Sequence, residues 1–295
     1  MDEQLKTYLG TLKSHQGYAE NTRQAYASDL FHFVNFLKSN LGRKPEVKDF
    51  TSEVTKKFLE VERKSGMKPS TLHRRRVSLK HFAQYLRDQE ILDSDIVETI
   101  AQTQENLWKE ISKQKVACLN SKEVERLLGT VGQSNTARSR RDQAIFSILL
   151  ETGLSIGDLV SLNLSDVNLR ESNLRVGSER SNASWVFIPN SSEKIRIYLV
   201  EGRPELTQSI SEEALFVSQM GGRISRQGIW QVIRIWGRQA KIRKKLSPRI
   251  LRHTAVKQML MDGKSFDEIQ LLLGHRNPLS TRALIRRIKK ACSTP

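Results

Sequence analysis

The sequence predicts a mainly α-helical protein of two domains, with a small β component confined to the second. Three observations carry that expectation. Helical apolar spacing recurs along most of the 295 residues, and most runs are bounded by capping residues. Only two short segments, Asn173–Val176 and Trp185–Pro189, carry a β pattern. The length suits about two ordinary cores rather than one.

The first domain is expected over residues 1–102. Glu3–Leu12 reads as a short amphipathic helix. Asn21–Thr22 caps a second, along which Ala25, Leu30, Phe33 and Leu37 recur at helical intervals. Val54–Arg63 is a third. Pro69–Ser70 starts a fourth, with Leu72, Val77, Leu79, Phe82 and Leu86 on its buried side and Arg74, Arg75 and Lys80 on its wet side. Residues 103–117 are mostly polar without β alternation and are expected to link this domain to the next, 118–295.

In the second domain Asn120 and Glu123 form a capping box, and Arg141–Leu150 is an apolar helix. Ile195–Val200 fits a helix or a strand equally. Residues 221–225 read as a turn entering the helix Gln227–Ala240, whose inner face carries Trp230, Ile233 and Trp236. The most sharply punctuated stretch is Leu246–Arg287. Ser247 and Pro248 occupy the cap and first turn of a helix carrying Leu251, Ala255, Met259 and Leu260, which Gly263 ends. Ser265 with Glu268 caps the next, and Gly274 stops it directly before His275. Pro278 and Ser280 open a last helix bearing Arg282, Arg286, Arg287, Lys289 and Lys290.

Composition bounds the partners. There are 49 basic against 32 acidic residues, a net charge of +17, and a pI near 10.0. That excess favours a polyanion, because neutralising phosphates releases counterions. Aromatic residues are only 6% of the chain, which argues against single-strand binding by base stacking. No apolar run approaches the roughly 18 residues of a membrane span. Cys118 and Cys292 are too far apart in sequence to suggest a disulfide framework or a metal motif. No metal, cofactor or membrane is expected, and the expected setting is cytoplasmic and nucleoid-associated.

The stretch LRHT, a short apolar helix and then LLGH, at Leu251–Thr254 and Leu272–His275, resembles the tyrosine recombinases, the phage-integrase and Xer-type family. TGLSIGDL, from Thr152, resembles the box in which that family carries its first arginine. AENTRQAYASDLFHFVNFL and STLHRRRVSLKHFAQYL resemble its N-terminal core-binding domain. The resemblance implies a two-domain clamp: a helical core-binding domain and a catalytic-type domain with a small antiparallel sheet. It also implies metal-free cleavage, in which a tyrosine attacks phosphorus and two arginines with a His or Trp hold the non-bridging oxygens. A hairpin lysine protonates the leaving oxygen, and a further histidine assists proton transfer.

Carried over residue by residue, this chain departs from that set. Ser155 stands at the first arginine, Arg249 at the histidine of the His-x-x-Arg box, and Leu284 at the tyrosine nine residues after His275. No tyrosine follows Tyr198, and no lysine lies between Arg175 and Pro189, where Arg180 is the nearby cation. Arg252 and His275 are retained, two positions of six. The resemblance therefore implies a pseudo-enzyme: a sequence-specific duplex DNA-binding protein unable to cleave DNA, acting as regulator, repressor or recombination accessory. Its alternative is an integrase subunit working beside a complete recombinase.

Candidate DNA contacts are Arg74, Arg75, Arg76, Arg180, Arg226, Arg249, Arg252 and His275, on one copy or on a homo-oligomer. Each has a plainer reading. Arg252 reads as a phosphate ligand or as a buried charge partnered by Asp158 or Asp166. His275 reads as a phosphate contact or a helix-terminus hydrogen bond. His253 reads as structural, and Trp230 and Trp236 as core.

Overall fold

The computed structural model describes residues 1–14, 20–92, 95–102, 116–177, 184–208, 212–275 and 277–292. The chain divides into two compact units, Met1–Gln114 and Lys115–Pro295. The expected linker and Arg180 lie almost wholly outside the described residues.

The first unit is helical: α1 Asp2–Ser14, α2 Glu20–Leu41, α3 Ser52–Lys64, α4 Pro69–Asp88 and α5 Asp95–Gln102. Leu5, Tyr8, Leu30, Phe33, Leu37, Phe50, Phe58, Leu79 and Phe82 fill its core. Two expectations are corrected. α2 is already helical at Glu20, ahead of the expected Asn21–Thr22 cap, and a fifth helix, α5, buries Ile96, Val97 and Ile100. With three buried apolar residues in only eight, α5 depends on packing against α3 and α4, because isolated helices this short are marginal.

The core of this unit also holds charge. Asp29 on α2 is 1% exposed and accepts from Arg74 Nη1 at 2.6 Å and from Ser78 Oγ at 2.9 Å. Arg75 Nε lies 3.6 Å from its other oxygen, while Arg75 Nη1 also bonds Glu62 on α3. Burial pushes the Asp29 carboxyl above its ordinary value, against the pull of Ser78 and the two arginines. One carboxylate thus ties α2 to α4, and Arg75 extends the tie to α3.

The second unit is mixed. Its helices before the sheet are α6 Ser121–Gly132, α7 Ala137–Thr152 and α8 Ile156–Ser161. A three-stranded antiparallel sheet follows in the order β1 Val167–Asn168, β2 Asn173–Val176, β3 Ser184–Phe187. Register is set by Leu174 opposite Val186 and Arg175 opposite Trp185. Pro189, expected at a strand end, instead begins α9 Pro189–Ile197, since its fixed φ suits a first turn. Ile195–Val200 resolves as helical. α9 runs into a π-helical turn, Tyr198–Gly202, and then α10 Arg203–Leu206, where Pro204 has no N–H to continue an ordinary ladder. Tyr198 is fully buried there, its hydroxyl accepting from Val217 N at 3.3 Å.

The remaining helices are α11 Arg226–Gln239, α12 Pro248–Met261, α13 Phe266–Leu272 and α14 Pro278–Cys292. Asn120–Glu123 and Ser265–Glu268 form the capping boxes read from sequence, and Ser247 caps α12 ahead of Pro248. On α11 the buried stripe is Ile229, Ile233 and Gly237. Gly237 is required, because a Cβ there would lie 2.8 Å from Leu246 Cβ. Trp230 lies one position off that stripe and is 46% exposed, which corrects its expected place in the core. Trp236 does face inward, donating through Nε1 to Asp142 Oδ2 at 2.7 Å.

Candidate nucleic-acid interface

The site in the second unit is built where α12 crosses the end of α7 and the start of α14. α7 ends at Gly153, whose φ of +65° is the left-handed cap that favours glycine. That turn aims the Gly153 carbonyl at α12, where Arg252 Nη1 donates to it at 2.6 Å. Arg252 Nη2 donates to Leu273 O at 3.2 Å and to His275 Nε2 at 2.6 Å. His275 follows the left-handed Gly274 (φ +64°), and its Nδ1 stands 2.8 Å from Thr281 Oγ1 on α14.

These contacts assign the imidazole. A guanidinium has no acceptor, so Nε2 must accept and the ring proton sits on Nδ1, donating to Thr281. Burial holds the ring neutral, down to about 4, with repulsion from Arg252 adding to it and Asp158 opposing. His275 therefore braces Arg252 with both nitrogens engaged. Burial also lowers the Arg252 guanidinium, which Asp158 partly offsets through space. Asp158 is itself engaged by Ser155, whose hydroxyl donates to Oδ2 at 2.7 Å and accepts from Asp158 N at 3.1 Å. Asp166 pairs instead with Arg175 at 3.0 Å.

The other candidates fall into three groups. Arg226 and Arg249 are exposed. Arg249 and Arg287 repel one another, and burial with that repulsion lowers Arg287. Arg74 is 41% exposed on its side chain but engaged by Asp29 and by Ala25 O at 3.0 Å. Arg75 and Arg76 are corrections: both are buried, Arg75 between Asp29 and Glu62, and Arg76 at 1% exposure with Nη1 donating to Ile100 O at 2.7 Å. They hold the helical unit together and do not reach its surface. Leu284 is half-buried and packs against the core of the second unit.

Sequence reasoning missed Thr281, which is fully buried and orients His275, and Gly153, whose carbonyl anchors Arg252. The Thr–Gly ending of α7 is the signal that marks Gly153 as a helix stop. His253 is structural as expected: it is 5% exposed, and burial followed by repulsion from Arg249 holds it down at about 4, with the Ala117 backbone pulling the other way.

One buried and one half-buried histidine, both held neutral, make stability pH-dependent. An unfolded imidazole takes its proton near 6.5, whereas these take theirs at about 4. Between those values the unfolded chain binds more protons, so stability falls as pH falls. The urea midpoint of the second unit is expected to drop steadily between about pH 7 and about pH 4.5. A His253→Asn variant should show a shallower decline over that window, and an unchanged slope would place the titration elsewhere.

The two units match two family models: residues 5–90 the N-terminal SAM-like domain of phage integrases, and residues 117–288 the phage integrase family. The chain belongs to the phage integrase family. Tyrosine recombinase XerD of Pseudomonas putida is 32% identical over 287 residues, covering 96% of this chain and 92% of that protein. Tyrosine recombinase XerC of Herpetosiphon aurantiacus is 28% identical over 284 residues, covering 96% and 90%. The fold is shared with the XerH site-specific recombinase bound to palindromic difH substrate in a post-cleavage complex. That likeness has a TM-score of 0.73 at 17% identity and covers 100% of this chain and 84% of that one. It is shared also with a lambda integrase dimer bound to a COC′ core site, with a TM-score of 0.69 at 14% identity over 100% and 78%. Among the described residues no helix is long and apolar enough to cross a membrane.

Proposed function

We propose that this chain binds duplex DNA site-specifically through its recombinase fold and does not cleave it, acting as a regulator or recombination accessory. One observation carries the reading. The phosphate-binding half of the site is kept, as Arg252 braced by His275 and Thr281, while an apolar Leu284 stands at the nucleophile position. Leucine offers no nucleophile. Ser155 offers one hydroxyl, already committed to Asp158, where an arginine would bring charge and a fork.

The neighbouring hydroxyl is no substitute. Thr281 is fully buried and accepts the His275 Nδ1 proton, so the ring nitrogen facing it is a donor rather than a base. Losing a single transition-state donor costs about a hundred- to a thousandfold in rate, and losing the nucleophile removes the covalent route. The contacts best placed for DNA are Arg226, Arg249 and Arg252, with Arg74 contributing from the first unit. DNA as partner is supported by the net charge of +17 and by the DNA-bound recombinases that share the fold.

A second reading, a subunit working beside a complete recombinase, is favoured by similarity to XerD over 96% of the chain, which leaves the architecture intact. Selection of native genomic fragments by the purified protein, near physiological salt with excess competitor, tests the first and separates the two. Recovery of discrete sites near promoters supports the regulator. Recovery of recombination sites supports the accessory subunit. Recovery without preference would sink both.

A further inference from the structure

An arginine lies across each end of the segment Gly153–Gly157. At the first end, Arg252 Cγ is 3.8 Å from where a Cβ on Gly153 would stand, and its guanidinium holds the Gly153 carbonyl. At the second, Arg226 Nη2 is 2.9 Å and Cζ 3.4 Å from where a Cβ on Gly157 would stand. Ser155 Oγ is 3.4 Å from that same point. The guanidinium of Arg226 and the hydroxyl of Ser155 therefore both border the space left by one missing methyl. Ser155, where the family resemblance puts an arginine, lies in a segment with an arginine beside each end.

The two guanidiniums are held differently. Arg252 is anchored from behind by two carbonyls and His275. Arg226 starts from the first position of α11, which the Ser225 cap fixes and which packs on α8. It is exposed and makes no hydrogen bond or ion pair among the described residues. Asp158, which acts on Arg252 through space, is taken up by the Ser155 hydroxyl.

We propose that Arg226 and Arg252 clamp one phosphate between them, with Arg226 supplying from α11 the guanidinium that Ser155 cannot. That the phosphate belongs to DNA rests on the reading above; the clamp itself is a claim about phosphate. Gly157 leaves room for it, since a Cβ there would stand 2.9 Å from Arg226 Nη2 and force that tip to shift. Gly157 does not have a left-handed φ, and alanine is the better helix former, so Gly157→Ala should leave the fold at least as stable. A loss of binding in that variant would report displacement of Arg226 rather than damage.

The test uses the full chain with two probes: inorganic phosphate, read as a shift in thermal midpoint, and a duplex carrying a selected site. Arg226→Gln and Gly157→Ala are each expected to remove most of the phosphate shift and to weaken the duplex about tenfold near physiological salt. Arg226→Gln should also flatten the salt slope by about 0.9, the release expected for one phosphate contact. The double variant should be no worse than Arg226→Gln alone. Ser155→Arg should restore both readouts in the Arg226→Gln background, while Arg234→Gln, another exposed arginine of α11, leaves the phosphate shift unchanged. The clamp is overturned if phosphate does not stabilise the protein, if that shift survives Arg226→Gln, or if Gly157→Ala binds as the unaltered chain does. A phosphate shift that depends on Arg226, with no duplex binding at all, would keep the clamp and remove the DNA reading.

Discussion

Replacing Arg252 with leucine is expected to destabilise the second unit by roughly 2–4 kcal/mol and to abolish site-specific DNA binding. The stability cost arises because three partners lose their donor at once: Gly153 O, Leu273 O and His275 Nε2. A hydrogen bond from a charged donor contributes about 1.5–3 kcal/mol, and a buried acceptor left without one bears its full desolvation cost. The binding loss follows from the same side chain being the anchored half of the proposed phosphate clamp. Arg252→Lys should fall between, because a lysine keeps the charge but cannot reach carbonyls on α7 and α13 with one fork. Urea unfolding with a filter-binding assay checks both parts. An Arg252→Leu protein that unfolds at the original midpoint would show that the carbonyls and His275 do not depend on Arg252.

Replacing Asp29 with alanine is expected to cost the first unit about 3–5 kcal/mol, because removing one member of a buried ion cluster strands the others. Asp29 is 1% exposed, and Arg75 is 6% exposed, so neither charge can recover hydration in place. Asp29→Asn should be milder, since an amide still accepts from Ser78 and Arg74 but brings no charge to Arg75. The effect should be confined to the first unit, so that a separate unfolding transition for the second keeps its midpoint. Unfolding monitored by backbone amide exchange of α2 and α4 against α7 and α12 resolves the two. Equal loss of protection in both units would contradict the assignment.

The contrast between the two units explains what the sequence carries openly. Where local chemistry decides, residues and structure agree. Ser247 with Pro248, Ser265 with Glu268 and Asn120 with Glu123 each satisfy their own helix start, and all three form as read. Arg252 and His275 are marked by the resemblance of LRHT and LLGH to the family's motifs, and the structure brings them to 2.6 Å. What misleads is residue type. Arg75 and Arg76 sit three and four residues after Leu72 and four and three before Leu79, squarely on the buried stripe of α4. Their spacing marks them as interior, but arginine reads as solvated unless a buried carboxylate is known to wait, and Asp29 is 46 residues distant from Arg75 in sequence.

Trp230 misleads in the opposite sense. Its size suggests a core residue, yet the stripe Ile229–Ile233–Gly237 leaves it outside, because Leu246 packs so closely on Gly237 that the helix must turn that edge inward. The brace from Thr281 to His275 and the placing of Arg226 over Gly157 are contacts between α13, α14, α8 and α11 and their flanking turns. No local pattern encodes them. The functional reading depends on these long-range contacts, since they bring scattered basic residues to the proposed phosphate clamp.

The most direct measurement of cleavage is a denaturing gel of the protein incubated with a nicked duplex carrying its selected site, at a concentration where native gels show the duplex fully bound. A nick lets the cleaved strand diffuse away, so even a slow covalent step accumulates as protein-linked DNA. The expected result is free DNA alone after denaturation, because Leu284 provides no nucleophile and Thr281 is buried as an acceptor. A protein–DNA band that survives denaturation would contradict binding without cleavage and would place a working nucleophile in this chain.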